Sequence, residues 1–106
     1  MSLEFPRPKN FQYEEVFYFN DYTAMIWGRY KNGKDMSLGM RWIKAESKLG
    51  YPNIFGKGMW MVVPDNIAFL ILDGIDKHRE TEKSHIENEV IFKEALEELK
   101  QRCCNV

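Results

Sequence analysis

Two stretches, Trp27-Gly28-Arg29-Tyr30 and Arg41-Trp42, set an arginine beside an aromatic ring on either side of Lys31-Asn32-Gly33-Lys34. Tryptophan and tyrosine faces stack on nucleic-acid bases at ~1–3 kcal/mol per base, and guanidinium groups meet phosphates or base edges. Lys31, Lys34, Lys44, Lys48 and Lys57 surround the same segment. They would follow a phosphate backbone, each neutralised phosphate adding to the salt dependence of binding.

Other chemistry-bearing residues are sparse. His78 and His85 have no cysteine near them, which argues against a zinc site. No nucleophile sits in a pattern with a base, and Gly56-Lys57-Gly58 neither follows a strand nor opens a helix as a phosphate-binding P-loop must. Glu94, Glu97 and Glu98 read as the solvated face of a helix making i,i+4 pairs. Cys103 and Cys104 are adjacent, so no disulfide framework is implied and a reducing cytoplasm is the default. The expectation is a non-catalytic binding protein with no metal and no cofactor.

The elements that must position these residues follow from periodicity. The chain of 106 residues has room for one core, hence one domain over 1–106. Aromatic and β-branched alternation predicts a first strand near 12–19, a second at 22–30 and a third at 36–43. Asn32-Gly33 favours a tight hairpin between the last two, since both residues tolerate positive φ. Residues 45–58 form a long loop that includes Tyr51-Pro52-Asn53-Ile54-Phe55, and 59–63 a fourth strand. A helix follows over about 66–77 with Asp65 as N-cap. Ser84 and Glu87 have the spacing of a capping box, opening a second helix over 84–102.

The first helix is unusual. Ile67, Phe69, Leu70, Ile71, Leu72 and Ile75 cover nearly its whole circumference, and a helix apolar all round is buried on both sides. One side can face the sheet; the other needs the C-terminal helix or a second subunit. Ile67, Phe69, Leu70, Leu72 and Ile75 are therefore the expected dimer interface. The longest apolar run, 67–72, is too short for the roughly 20 residues of a membrane span, and Met1 to Lys9 has no apolar signal-peptide core. No membrane partner is expected.

On the sheet, the simplest core face is Ala24, Ile26, Leu38, Met40 and Trp42. That choice gathers Trp27, Arg29 and Arg41 on the opposite face, with open space at Gly39. The alternative is that Trp27 covers the sheet or packs under the first strand, with the arginine stems lying over it. Charge adds a second asymmetry: residues 22–60 carry seven basic against two acidic side chains, and residues 65–106 six against ten. A basic face and an acidic face on one molecule would result.

The order of these features carries a resemblance. A strand, a glycine turn, the strand SLGMRW, a loop, Gly56-Lys57-Gly58, another strand and an apolar helix entered through Pro64-Asp65 together resemble the single-stranded-DNA-binding domain of the transcriptional coactivator positive cofactor four and its small bacterial relatives. The resemblance spans about residues 12–77. It implies an α+β fold, a curved four-stranded antiparallel sheet followed by a helix buried at a dimer interface, here with an extra C-terminal helix. It also implies homodimers that bind single-stranded or unwound DNA along the strands, and the expected partner here is single-stranded DNA or RNA. By position, Arg41 matches the basic residue of the third strand and Lys57 the lysine of the Gly-Lys-Gly; Trp27 and Arg29 fall on the second. The chain is less basic than that family usually is. A dimeric protein- or small-molecule-binding accessory module, antitoxin- or immunity-like, remains the competing reading.

Overall fold

The structure is a computed structural model and describes residues 5–43, 53–54 and 57–104. It is α+β, an antiparallel sheet followed by helices. The strands are β1 (Phe11–Tyr13), β2 (Tyr18–Phe19), β3 (Thr23–Tyr30), β4 (Ser37–Trp42), β5 (Asn53–Ile54), β6 (Lys57–Gly58) and β7 (Met61–Val63). The helices are α1 (Asp65–Lys77), α2 (Arg79–Glu82) and α3 (Glu89–Cys104).

The main sheet runs β1-β3-β4-β7, and β2 also pairs with β3. The single first strand expected over 12–19 is thus two short pieces along one edge. Phe11 to Tyr13 pair with Gly28 to Tyr30, and Tyr18 and Phe19 with Met25 and Ala24. Between them the chain leaves the ladder so that Phe17 can enter the core, fully buried. The stretch 53–58, expected as loop, contains a small separate ribbon of β5 and β6.

The ladder register is centred on Asn32-Gly33 as expected, with Gly28 across from Ser37, but the tight turn itself closes one residue upstream. Lys31 and Asn32 hold positive φ values of 51° and 59°, and the Gly33 amide donates to the Tyr30 carbonyl at 3.0 Å. Lys31 is therefore kept in a left-handed conformation that a lysine does not favour. Three bonds secure it: the Lys31 amide donates to the Asn10 carbonyl at 2.7 Å, and Arg29 Nη1 donates to the carbonyls of Gly33 at 3.1 Å and Lys34 at 2.5 Å.

Both faces of the sheet are covered. On one side Met25, Trp27, Leu38 and Val63 pack with Phe17, Tyr18 and the helices through Ala68, Leu72, Ile75, Ile91, Phe92, Ala95 and Leu99. On the other, Phe11, Ala24, Ile26 and Trp60 form a smaller core to which no helical residue contributes. We call these the helix side and the arm side. Gly39 belongs to the second: a Cβ there would lie 3.0 Å from the Phe11 ring and 2.8 Å from Ile26. Its missing side chain is filled by Phe11 and is not open space.

The helices are held by arginines. Arg79 pairs with Asp76 at 2.7 Å and Glu89 at 2.5 Å, tying the end of α1 to the start of α3. Arg102 donates to the Met36 carbonyl at 2.9 Å and reaches Glu98 and Asp65, with its guanidinium 5.6 Å from the Trp27 ring centroid. Asp65 is the first residue of α1; Pro64 is the N-cap and supplies no side-chain bond. The expected capping box at Ser84 does not form. The Glu87 amide donates to the Phe17 carbonyl, residues 83–85 make a single tight turn, and α3 is capped instead by Asn88, whose Oδ1 accepts from the Ile91 amide at 3.0 Å. Glu94, Glu97 and Glu98 are exposed on α3, as the sequence suggested.

Helix α1 buries one face only. Ala68, Leu72 and Ile75 are buried and Phe69 and Ile71 half-buried, against the sheet and α3. Ile67 and Leu70 are 45% and 64% exposed. Of the five residues expected at a dimer interface, Leu72 and Ile75 belong to the chain's own core and only Ile67 and Leu70 stand well clear of it. No helix of the described residues is long and apolar enough to cross a membrane.

Candidate nucleic-acid interface

Cross-strand partners share a face, and the ladder pairs Trp27 with Leu38, Ile26 with Gly39 and Ala24 with Arg41. Trp27 and Arg41 therefore point to opposite sides of the sheet. Trp27 is buried on the helix side under Arg102. Arg29, on the same side by alternation, lies beyond the core and is spent on the turn carbonyls. The expected surface of Trp27, Arg29 and Arg41 does not exist as one face. Trp27 is buried, as the packing alternative has it, but on the helix side beneath Arg102 and not under the first strand or the nearer arginines.

Arg41 occupies the arm side at 5% exposure. Its Nη1 donates to the Met59 carbonyl at 2.5 Å, and its guanidinium lies 5.8 Å from the Trp60 ring centroid. A Cβ at Gly58 would come within 3.0 Å of that Nη1, so glycine is what lets the guanidinium reach the β6 strand. Arg41 and the backbone of Lys57-Gly58 are thus brought together. Burial lowers the Arg41 pKa from its ordinary value, countered by Tyr13; an arginine still stays charged at neutral pH.

Around this point the arm side collects rings. Tyr13 and Trp60 meet edge to face at 5.4 Å, Phe11 and Tyr30 at 5.6 Å, and Phe5 lies 5.6 Å from Phe19 and 6.2 Å from Trp60. Two further cations lie on this set: Arg7 4.3 Å from the Tyr13 centroid and Lys31 5.3 Å from that of Tyr30. Burial pushes the Tyr13 hydroxyl above its usual pKa, against the pull of the Arg7 and Arg41 charges. Three rings each carry a cation, on a face to which no helical residue contributes.

Lys31 and Lys34 are exposed at the hairpin tip, while Lys44 and Lys48 lie outside the described residues. Lys57 is placed by its backbone alone, and the Tyr51 and Phe55 of the long loop also fall outside the described residues. Sequence reasoning missed Phe5, Arg7, Tyr13 and Trp60 as members of this face. A signal was present in Phe5-Pro6-Arg7-Pro8: prolines fix φ near −65° and keep a short arm extended, which presents its side chains rather than folding them away. The two histidines have local roles. His78 Nδ1 donates to the Gly74 carbonyl at 2.8 Å where α1 ends, and His85 meets the Tyr18 ring at 6.0 Å.

A face of this kind suits a partner with flat rings and anionic oxygens. Its class is defined by the fold alone: an antiparallel sheet backed on one side by helices, with an aromatic and cationic second side. Comparison with protein-family models, curated proteins and solved structures gave no match for the chain.

Proposed function

We propose that the protein binds single-stranded nucleic acid on the arm side of its sheet and works as a homodimer in the reducing cytoplasm. The observation that carries this reading is a pair of cation–ring contacts on one face of the sheet, Lys31 on Tyr30 and Arg41 on Trp60, with the Tyr13 ring edge to face against Trp60. Bases stack on such rings without sequence preference, and the cations answer the phosphates. The resemblance carried by SLGMRW and Gly56-Lys57-Gly58 implies the same activity, and the approach of Arg41 to Gly58 supports it. The binding residues are then Arg41, Lys57, Lys31 and Lys34, joined by Lys44 and Lys48, which lie outside the described residues.

The test is fluorescence anisotropy of a labelled single strand of about 20 nucleotides at low and moderate salt, with duplex as control. Preference for the single strand, weakening with salt and quenching of tryptophan are expected. Lys31→Gln and Lys57→Gln should each flatten the dependence of log K on log salt by about 0.7. Absence of binding at low salt, where attraction is strongest, ends the reading.

A second reading has its own observation. On the helix side Trp42 and Met61 are about half exposed, and Ile67 and Leu70 of α1 are exposed as well. A dimeric module that binds a protein or small molecule would use that apolar surface, and it predicts capture of such a partner with no affinity for nucleic acid.

A further inference from the structure

We propose that residues 5–8 are an internal stand-in for ligand, an arm that occupies the binding face and must swing away before a strand can lie there. The inference rests on the nucleic-acid reading of the arm side and concerns its regulation.

The arm reproduces the chemistry of a nucleotide piece by piece. The Phe5 ring packs against Phe19 and Trp60, where a base would stack. The Pro6 carbonyl oxygen accepts from Trp60 Nε1 at 2.9 Å and from the Tyr13 hydroxyl at 2.8 Å. Two donors converging on one oxygen are what a phosphate or base carbonyl oxygen would receive. Pro6 also rests on β6, since a Cβ at Gly58 would lie 2.9 Å from its Cγ and 3.0 Å from its Cβ. The arm therefore covers the place where Arg41 and Lys57-Gly58 meet.

Its attachment is of a displaceable kind. Residues 5–8 form no strand, and Pro6 and Pro8 have no amide hydrogen with which to join a ladder. Phe5, Pro6 and Pro8 are only half-buried, and Arg7 is exposed, its Nη1 and Nη2 donating to the Tyr13 and Glu14 carbonyls at 2.7 Å each. The chain turns at Pro8 to Phe11, where the Phe11 amide donates to the Pro8 carbonyl, and this turn is the hinge. The Trp60 and Tyr13 donors, released by the arm, pass to the ligand and are not left unpaired. Affinity is then reduced by the fraction of molecules whose arm is open.

A reversible lock tests this in the full chain. Pro6→Cys with Gly58→Cys, in a Cys103→Ser/Cys104→Ser background, puts two Cβ atoms at a separation that needs about 0.5 Å of relaxation to reach disulfide range. Anisotropy with a labelled oligothymidine should show the oxidised form binding at least about tenfold more weakly than the same protein reduced, because locking removes the open population. Phe5→Ala, which loosens the arm without touching the donors, should tighten binding several-fold. Equal affinity of the oxidised and reduced forms overturns the arm, as does weaker binding by Phe5→Ala, which would make Phe5 part of the ligand platform. Silence of every form, including the native chain, at low salt strikes down the nucleic-acid reading itself and the arm with it.

Discussion

Trp27 and Leu38 stand directly opposite each other in the β3–β4 ladder, both buried on the helix side of the sheet. The pair joins the hairpin to α3, because Arg102 of that helix lies over the indole. Trp27→Ala should therefore cost about 3–5 kcal/mol of stability, the usual loss for a large buried ring. Denaturant unfolding measures it directly. A loss below about 1 kcal/mol would mean that the indole is not part of the core.

Asn88 and Ser84 make a contrasting pair. The Asn88 side chain accepts from the Ile91 amide, so Asn88→Ala should destabilise by about 1 kcal/mol. Ser84 is exposed in a turn where no side-chain cap bond forms, so Ser84→Ala should change stability by less than about 0.5 kcal/mol. Thermal melts of the two variants decide which residue begins the helix, and a larger effect at Ser84 would restore the capping box.

What could be read from the residues alone follows the same line. The order of the main-sheet strands and of the long helices was legible, because period-2 and period-3.6 patterns are written in the side chains. The faces of the sheet were not read correctly by apolar content, since β3 runs Ala24-Met25-Ile26-Trp27 buried on both sides and offers no contrast. The register was legible in principle. Counting outward from Asn32-Gly33 already places Trp27 across from Leu38, and apolar content overrode that count. Arg41 could not be recognised as buried, because its shelter comes from Gly58 and Trp60, distant in sequence. Asn88 was hidden by a better-looking motif four residues upstream, which lost because the Glu87 amide bonds to Phe17.

Tyr18 governs the alkaline limit. Burial first, and then its hydrogen bond to Glu82 at 2.8 Å, push its pKa up to about 12 from 10.0. A raised folded pKa means the fold prefers the protonated phenol. The stabilisation is fully present below pH 10 and is lost as pH rises through about 12. Phenolate absorbance should show a step near pH 12, and Tyr18→Phe should remove that step and flatten the fall of stability across this window. An unchanged titration in Tyr18→Phe would assign the late step elsewhere.

The last prediction concerns the proposed homodimer. Helix α1 carries Ile67 and Leu70 on a face that no other described element covers, and a Cβ at Gly74 would meet nothing within 4 Å. An exposed Leu and Ile one turn apart contribute little to a monomer, yet they are the residues a symmetry mate would bury. Leu70→Lys should then leave the melting temperature of the dilute protein nearly unchanged while shifting sedimentation at micromolar concentration from dimer toward monomer. Leu72→Ala gives the opposite result, a loss of about 2–5 kcal/mol in the fold of each chain, because Leu72 is fully buried. A native chain that sediments as a monomer at that concentration rules out the dimer. A dimer untouched by Leu70→Lys moves the interface away from α1, and the exposed Trp42 and Met61 are then the residues to change.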